Sequence, residues 1–521
     1  MEAKTLMVQG TSSSAGKSLL VAALCRIFAR RGLKVAPFKA QNMSNNAAVC
    51  PDGAEIGRAQ AVQAMAAGIE PTADMNPILL KPEADARSQV IVMGRPWRSL
   101  KAGAYYQHKS DLWPLITAAL DRLRAAYELV IIEGAGSSAE LNLKAGDLVN
   151  MAVALYAQAP VLLVGDIDRG GIFAQLLGTL WLLEPAELAL VRGLIVNKFR
   201  GDPALFADGI RILEERSDLP VVGVVPFLHD LGIPEEDAVA IENLKHGSSG
   251  PEPAPATIDI AVIALPRIAN FDDFDPLAAE RGVQVRYVSS PQTLGKPHAV
   301  ILPGSKSTMA DLAWLRAQGL ADAIQRLAAE GRAVVGICGG YQMLGRTIRD
   351  PDHTESSIDA LPGLGLLPAE TIFETEKTTH RAQARLLGGP DWLADLAGQV
   401  VYGYEIHMGR TQGDDDWLEV TERSGVPVSL RDGIISSDGR IWGCYLHGLF
   451  ENQSLRRAWL ASLGWLREER QDQSATRYEE GFERLANAVE AAISMDYLED
   501  LIASGEGQAV DSSSASRSAT S

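Results

Sequence analysis

Residues 8–20 read VQGTSSSAGKSLL, a turn rich in glycine and serine between an apolar run and a segment that favours a helix. Backbone N–H groups of such a turn, together with the N-terminus of the following helix, form a cradle for phosphate oxygens. Phosphate-binding loops usually have four residues between their two glycines, whereas five separate Gly10 from Gly16 here. The Gly-Lys-Ser ending still predicts a nucleotide-binding loop, in which Lys17 neutralises phosphate charge and Ser18 binds magnesium. A flexible structural turn is the alternative.

The first 245 residues alternate short apolar runs with longer segments that favour helices. The runs TLMVQG, LVIIEGAG, PVLLVGDID and RGLIVNKF are apolar almost throughout, which is typical of parallel strands buried on both faces. The α/β pattern restarts after the stretch HGSSGPEPAPAT, which has a linker composition. We therefore predict an α/β synthetase domain over 1–245, a linker over 246–257, a second α/β domain over 258–453, a helical segment over 454–503 and a Ser-rich tail over 504–521.

Acidic and amide side chains follow three of these predicted strands. Glu133 ends one run, and Asp166 and Asp168 end the next. Sites of open α/β sheets gather at the carboxyl ends of strands, so we predict that Glu133 helps to bind magnesium and that the two aspartates contact substrate or metal. Capping of the following helices is the alternative. By analogy with other phosphate-loop proteins, Asn197 and Lys198 are candidates for recognition of the nucleotide base.

The overall composition narrows the classes of partner. The chain has 46% hydrophobic and 22% charged residues and a formal net charge of -18. Such a charge disfavours nucleic acid or an anionic membrane as a general partner. The four cysteines lack the C-x-x-C spacing of a zinc site or a disulfide framework, and the N-terminus lacks a signal-peptide pattern. We expect a cytoplasmic protein; its oligomeric state stays open.

A cysteine in a glycine-rich turn predicts a second kind of chemistry. Residues 333–345 read AVVGICGGYQMLG, which delivers Cys338 from an apolar strand into a turn that precedes a helix. In this elbow the helix N-terminus favours a thiolate, and backbone N–H groups stabilise an oxyanion. We predict Cys338 as a nucleophile and Gly339 as one oxyanion donor, with Gly304 of VILPGSKST as the other. A buried structural cysteine is the alternative.

A thiolate nucleophile needs a base, and two histidines are candidates. His447 in GCYLHGLF follows the last predicted core strand and precedes a glycine, whereas His407 lies in GYEIHMG. We favour His447 because its position at the end of a strand, next to a flexible turn, would expose its ring.

The phosphate loop and the cysteine elbow, taken together, resemble the cobyric acid synthase family of glutamine-hydrolysing enzymes in cobalamin biosynthesis. The resemblance extends from residue 4 to about residue 490 and includes PFKAQNMSNNA, EIGRAQAVQA, MNPILLKP, IEGAGS, GDIDRGGIFA, NKFRGD and GYEIHMG. It implies a dethiobiotin-synthetase-like phosphate-loop domain with a parallel sheet, followed by a class I glutamine amidotransferase-like α/β domain.

The resemblance also implies a reaction. Enzymes of this family use ATP, Mg²⁺ and glutamine to amidate carboxylates b, d, e and g of adenosylcobyrinic acid a,c-diamide. It implies that Cys338 releases ammonia from glutamine with His447 as its base. The class commonly carries glutamate two residues after this histidine, but Leu449 stands there, so the third member stays open, with Glu451 nearby.

Two segments are candidates for binding the acceptor or ATP. The polar loop FKAQNMSNN supplies Lys39, Gln41, Asn42 and Ser44. The segment 81–101 carries five basic residues against two acidic ones and is a candidate patch for corrin carboxylates. The rival functions are the sibling amidase that acts on carboxylates a and c, and a phosphate-loop switch ATPase fused to an inactive glutaminase-like module.

Overall fold

The computed structural model describes residues 2–84, 87–229, 231–234, 257–466 and 477–504. The predicted linker, apart from Thr257, and the predicted tail, apart from Ser504, lie outside these residues. Within the described part, no helix has both the length and the apolar character needed to cross a membrane.

The N-terminal half contains twelve strands and eight α-helices in its described residues. The strands are β1 (Lys4–Gly10), β2 (Val35–Phe38), β3 (Gln41–Met43), β4 (Ala47–Val49), β5 (Glu55–Gly57), β6 (Ile78–Ala84), β7 (Arg87–Val92), β8 (Arg95–Lys101), β9 (Leu129–Glu133), β10 (Val161–Asp166), β11 (Val191–Phe199) and β12 (Val221–Pro226). The helices are α1 (Lys17–Arg30), α2 (Arg58–Ala66), α3 (Ala102–Tyr105), α4 (Lys109–Ala126), α5 (Met151–Ala157), α6 (Ile172–Leu182), α7 (Pro185–Leu188) and α8 (Ala207–Ser217).

A six-stranded parallel sheet forms the centre of this half, in the order β12-β11-β10-β1-β9-β2. Strands β9 and β10 are buried at every residue, as their uninterrupted apolar runs predicted. Because β1 lies between β9 and β10, the loop after β1 opens beside the carboxyl ends of both neighbours. The predicted phosphate-loop α/β fold is confirmed.

A smaller sheet, β3-β6-β7-β8, extends from this half. Strand β3 pairs in parallel with β6, whereas β6, β7 and β8 form an antiparallel meander. The predicted basic segment 81–101 therefore folds mainly as sheet. Its side chains alternate between two faces, so the segment does not form one basic patch.

The C-terminal half contains thirteen strands and eight α-helices in its described residues. The strands are β13 (Ile258–Ile263), β14 (Ile268–Ala269), β15 (Val283–Val288), β16 (Ala299–Leu302), β17 (Gly304–Ser305), β18 (Ala333–Ile337), β19 (Thr347–Arg349), β20 (Ala360–Pro362), β21 (Ala369–Leu386), β22 (Val400–Gly413), β23 (Asp416–Arg423), β24 (Val426–Ile435) and β25 (Ile441–Cys444). The helices are α9 (Asp275–Ala278), α10 (Pro291–Leu294), α11 (Thr308–Ala317), α12 (Leu320–Ala329), α13 (Gly339–Leu344), α14 (Gln453–Ser462), α15 (Arg477–Ala492) and α16 (Met495–Ser504).

Most of these strands join one mixed sheet. Its parallel part has the order β15-β13-β16-β18-β25, and antiparallel pairing continues through β24, β23, β21 and β22. Strands β18 and β25 are neighbours with Ile337 beside Cys444. This pairing brings the turns that follow the two strands to the same edge of the sheet.

The last two helices return to the N-terminal half. Phe482 of α15 and Leu498 of α16 are buried in one apolar cluster with residues of α1. Arg26 and Arg30 of α1 pair with Glu483 of α15 at 2.7 Å. The chain therefore crosses from the second half back to the first, and α15 and α16 complete the core of the synthetase half.

Candidate active sites

The phosphate loop has the backbone that its glycines require. Gly16 has φ +93°, a left-handed conformation, and a Cβ on it would lie 2.1 Å from Nδ2 of Asn197. A Cβ on Gly10 would lie 2.7 Å from Nζ of Lys17. Gly16 therefore needs glycine for its conformation, whereas a side chain at Gly10 would displace the ammonium group of Lys17.

The lysine and serine that end the loop point toward its own backbone and toward β9. Nζ of Lys17 donates to the carbonyl oxygens of Ser12 and Gly136, each at 2.9 Å. Oγ of Ser18 donates to Oε1 of Glu133 at 2.8 Å. The loop therefore holds Lys17 folded over the cradle, as a phosphate-binding lysine is held.

Glu133 joins the phosphate loop to two other elements. Its carboxylate is fully buried and accepts hydrogen bonds from Nζ of Lys39 at 2.8 Å and from Nε2 of Gln63 in α2 at 2.5 Å. Burial alone would raise the pKa of Glu133, but the charge of Lys39 and the hydrogen bonds from Lys39, Gln63 and Ser18 outweigh it and lower the pKa. The group is therefore held as a carboxylate next to Ser18.

Residues at the end of β11 fasten the loop from its other side. Nδ2 of Asn197 donates to the carbonyl oxygen of Ala15 at 2.8 Å. Nζ of Lys198 donates to the carbonyl oxygen of Ser14 at 2.6 Å and pairs with Asp166 at 3.0 Å. These contacts put Asn197, Lys198 and Asp166 at the phosphate loop.

Asp168 has a different environment from Asp166. Its carboxylate is partly exposed and pairs with Nε of Arg200 at 2.6 Å. The hydrogen bond from Arg200 lowers the pKa of Asp168. The sequence analysis predicted the same role for Asp166 and Asp168, but the structure gives them different partners.

A cavity of about 670 Å³ is lined by the turn after β9, whose Gly136 and Ser138 hydrogen-bond Lys17 and Gly10 of the phosphate loop. Gln41, Tyr105, Lys109, Gly136, Ser138 and Arg267 are among the residues that line it. Of the four residues in the predicted polar loop, Gln41 alone is in this lining. Asn42 and Ser44 are buried, with bonds to Gln60 and Asn46, so they shape the loop from behind.

Cys338 occupies a strained turn between β18 and α13. It has φ +52°, which is unusual for a residue with a side chain. The neighbouring glycines allow this turn to pack closely: a Cβ on Gly340 would lie 1.9 Å from the carbonyl oxygen of Leu302. The strained backbone and the N-terminus of α13 give the geometry of a nucleophile elbow.

His447 lies beside this cysteine and is oriented by an aspartate. The two side chains line the same cavity, where the thiol of Cys338 donates to the carbonyl oxygen of Ile406 at 3.5 Å. Its Nδ1 lies 2.6 Å from Oδ2 of Asp273, and Oδ1 of the same carboxylate accepts from the backbone N–H of Gly448 at 2.8 Å. Burial would lower the pKa of His447, but Asp273 and Cys338 outweigh it and raise the pKa to about 10.

The aspartate that orients His447 was missed by the sequence analysis. Glu451, the residue considered there, accepts instead from the hydroxyl group of Tyr478 at 2.5 Å. Asp273 lies 174 residues before His447, in the acidic run NFDDFDPL that follows β13. The three acids of this run, a few residues after the first strand of the second half, were the signal available in the sequence.

His407, the alternative base, has other partners. Its ring stacks on Tyr445 with centroids 3.9 Å apart, and its Nε2 lies 3.4 Å from Glu405. It lines the same cavity as Cys338. This environment is that of a wall residue, with its ring nitrogens engaged by Glu405 and the carbonyl oxygen of Gly409.

Strand register distinguishes the two predicted oxyanion positions. The backbone N–H of Lys306 donates to the carbonyl oxygen of Arg267. Hydrogen-bonded and non-hydrogen-bonded pairs alternate between antiparallel strands, so the register of β14 and β17 makes Gly304 a hydrogen-bonded position and Ser305 a non-hydrogen-bonded one. The N–H of Ser305 therefore points away from β14. A Cβ on Gly339 would lie 2.9 Å from this nitrogen, which places Ser305 next to the elbow.

A second cavity, of about 370 Å³, contains Cys338 and His447. Both halves of the chain line it, and alternate residues of the small sheet separate it from the first cavity. Leu80, Pro82, Ser88 and Val90 face the first cavity. Lys81, Glu83 and Gln89 face the second cavity. The two cavities therefore lie on opposite faces of β6 and β7.

The described residues contain no cluster of three or more His, Cys, Asp or Glu side chains suited to a metal ion. The donor set at the phosphate loop nevertheless fits Mg²⁺, since Ser18 and Glu133 offer a hydroxyl and a carboxylate oxygen 2.8 Å apart. Such hard oxygen donors suit an ion that keeps several waters and also binds substrate phosphates.

Two family matches together cover most of the chain. Residues 6–239 match the CobQ/CobB/MinD/ParA nucleotide binding domain, and residues 259–455 match the CobB/CobQ-like glutamine amidotransferase domain. Among similar proteins, cobyric acid synthase of Chloroflexus aurantiacus is 56% identical over 96% of this chain and 100% of its own length. That of Chloroflexus aggregans is 60% identical over 89% of this chain and 92% of its own, and that of Roseiflexus castenholzii is 56% identical over 95% and 98%.

Proposed function

The chain belongs to the cobyric acid synthase family of glutamine-dependent amidotransferases, and from this we propose that it amidates carboxylates b, d, e and g of adenosylcobyrinic acid a,c-diamide at the expense of ATP. The observation that carries the proposal is the position of two cavities on opposite faces of one small sheet. One cavity is lined by residues that contact the phosphate loop, and the other is lined by Cys338 and His447, which we assign as nucleophile and base.

In the first cavity the acceptor carboxylate would be activated. A carboxylate is a poor electrophile, so transfer of the γ-phosphoryl group of ATP would convert it to an acyl phosphate. Lys17 and the loop N–H groups would stabilise the transferred charge. Ser18 and Glu133 would hold Mg²⁺, which when bound neutralises phosphate charge. The basic residues Lys109 and Arg267 in the lining would attract the carboxylates of the acceptor.

In the second cavity glutamine would be hydrolysed. The thiolate of Cys338 would attack the carboxamide carbon, and His447 would donate a proton to the departing ammonia. Water, activated by the same histidine, would then hydrolyse the thioester to glutamate. The proposed oxyanion donors are the backbone N–H groups of Gly339 and Ser305. Ser305 is preferred to Gly304 because of the register between β14 and β17. Asp273 would hold the tautomer and orientation of His447.

The ammonia would then react in the first cavity. Ammonia becomes ammonium in neutral water and loses its nucleophilic lone pair, so a short transfer that avoids bulk solvent favours the synthetase step. The two cavities lie on opposite faces of β6 and β7, so only the thickness of one sheet separates them. Attack of ammonia on the acyl phosphate would give the carboxamide and release phosphate.

Mass spectrometry tests the proposal. The purified chain is incubated with adenosylcobyrinic acid a,c-diamide, ATP, Mg²⁺ and glutamine labelled with ¹⁵N at the amide. We expect four successive amidations, each carrying the label, and none when ATP is omitted. Labelling of cobyrinic acid at carboxylates a and c, with no reaction of the a,c-diamide, would assign the activity to the sibling amidase instead.

A further inference from the structure

A partly buried arginine of the synthetase half contacts the acidic segment beside His447. Arg58 is the first residue of α2, and its Nη2 lies 2.6 Å from Oδ2 of Asp272. The Arg58 side chain is 17% exposed and the Asp272 side chain 2%. Asp272 is adjacent in sequence to Asp273, the residue that orients His447.

The carboxylates of Asp272 and Asp273 repel each other, and Arg58 reduces this repulsion by pairing with Asp272. Both side chains are buried, and two anions close together in a poorly solvated site repel each other. Burial holds the pKa of Asp272 above its usual value; the charge of Arg58 offsets part of this shift, and the charge of Asp273 adds to it. With Arg58 paired to Asp272, the carboxylate of Asp273 is left to the His447 ring and to the backbone N–H of Gly448.

Hydrogen bonds from the Asn270 side chain and the Phe271 backbone join the same segment to the synthetase half. The amide oxygen of Asn270 accepts from the backbone N–H of Ala47 at 3.3 Å. The backbone N–H of Phe271 donates to Oδ1 of Asn46, also at 3.3 Å. The residues immediately before Asp272 are therefore set by contacts across the interface between the halves.

Helix α2 also contacts the nucleotide site. It has nine residues, and Gln63 on it donates to Glu133, the partner of Ser18. One short helix thus has its first residue at the carboxylates beside His447 and a later residue at the carboxylate beside the phosphate loop. Helix α2 therefore connects the two reaction centres, with Arg58 at one end and Gln63 toward the other.

We propose that Arg58 is a positioning residue for glutamine hydrolysis: it neutralises Asp272 so that Asp273 remains the anionic partner of His447, and the glutaminase centre is complete only when the synthetase half supplies this arginine. The inference rests on the proposed roles of Cys338, His447 and Asp273. It predicts that the charge of Arg58 matters through Asp272, and not through contact with glutamine.

A charge-compensation cycle tests this role. Arg58→Met keeps most of the side-chain length and removes the charge, and we expect it to lower kcat for glutamate release about 10- to 100-fold, since it impairs one acid–base group without removing it. The KM for glutamine and the ammonium-dependent amidation rate should stay near wild type. In the double variant Arg58→Met with Asp272→Asn, the repulsion is gone and kcat should recover toward wild type.

A matched control uses the same interface. Arg381 pairs with Glu70 across the two halves, but these side chains are 39% and 68% exposed. Arg381→Met should leave glutamate release unchanged, because exposed pairs contribute little. The inference would be overturned if Arg58→Met released glutamate with the wild-type kcat. It would also be overturned if the double variant released no glutamate while its ammonium-dependent amidation persisted. A wild-type chain that releases no glutamate would instead overturn the proposed function, and the inference with it.

Discussion

At the scale of single residues, the contact between Asp273 and His447 decides how the second site works. A carboxylate on Nδ1 fixes the ring so that Nε2 faces the substrate side, and it stabilises the imidazolium that forms during proton transfer. The sequence analysis proposed Cys338 and His447 as nucleophile and base because each follows an apolar strand in a glycine-rich turn. It could not find Asp273, since only the folded chain brings this residue to His447 from 174 positions away.

Asp273→Asn should therefore impair glutamine hydrolysis strongly. The amide keeps the shape of the side chain but can present a donor to Nδ1, which selects the wrong tautomer. We expect kcat for glutamate release to fall about 10²- to 10⁴-fold, with ammonium-dependent amidation largely retained. Steady-state assays of both reactions measure the effect. A variant with more than half of the wild-type glutaminase rate would exclude the assigned role.

Glu405 supplies a prediction for the dependence of stability on pH. Burial would raise its pKa, but hydrogen bonds and charges of His407 and Arg423 lower it from 4.5 to about 2. Because the folded-state pKa is lowered, the stabilisation is complete above pH 4.5 and is lost as the pH falls through about 2. Glu405→Gln should lower the free energy of unfolding by about 3 kcal/mol at pH 7.

Denaturant unfolding of both proteins at several pH values checks this sign. The difference between wild type and Glu405→Gln should be constant above pH 4.5 and should shrink toward pH 2. A difference that grows on acidification would contradict the assignment of Glu405 as a stabilising carboxylate.

At the scale of elements, helices α15 and α16 connect the end of the chain to its beginning. The sequence analysis predicted a helical segment here, and apolar periodicity predicts helices of this kind well. Apolar periodicity does not indicate which half of the molecule the helices pack against. Both halves are α/β units with apolar helix-binding faces, so the pattern of α15 fits either, and only the fold shows that it packs on α1.

Phe482→Ala tests the contribution of this packing. The ring is fully buried against α1, so its removal should lower the free energy of unfolding of the N-terminal half by about 3–5 kcal/mol. Trp181 in α6 is 84% exposed and provides a control, since Trp181→Ala should change stability little. Thermal unfolding followed by a probe in the N-terminal half measures both. Equal effects of the two substitutions would show that α15 is dispensable.

At the scale of the whole molecule, the function depends on how two separately recognisable sites face each other. The sequence predicted both sites and the parallel sheet of the first half, because strand runs, glycine turns and the Gly-Lys-Ser ending are local signals. The segment 81–101 shows what is not local. As a linear sequence, this segment is rich in basic residues. Folded as strands, it presents Lys81 to the cavity that contains Cys338 and Leu80 to the larger cavity on the other face of the sheet.

The interface between the two halves also depends on contacts that are not local in the sequence. Glu55 is fully buried and pairs with Lys81 at 2.6 Å and with Lys377 of the other half. Burial would raise the pKa of Glu55, but the two lysines lower it to about 2. A buried carboxylate held by cations from both halves is stable only when the halves are docked. No spacing in the sequence indicates such a pairing.

The most direct test of the two-site account compares wild type with Cys338→Ala, each supplied with glutamine and separately with ammonium, while amidation of adenosylcobyrinic acid a,c-diamide is followed by mass. If ammonia made at Cys338 is consumed at the phosphate loop, the variant loses amidation from glutamine and keeps amidation from ammonium. Retention of glutamine-dependent amidation by Cys338→Ala would contradict the account, because ammonia would then come from elsewhere.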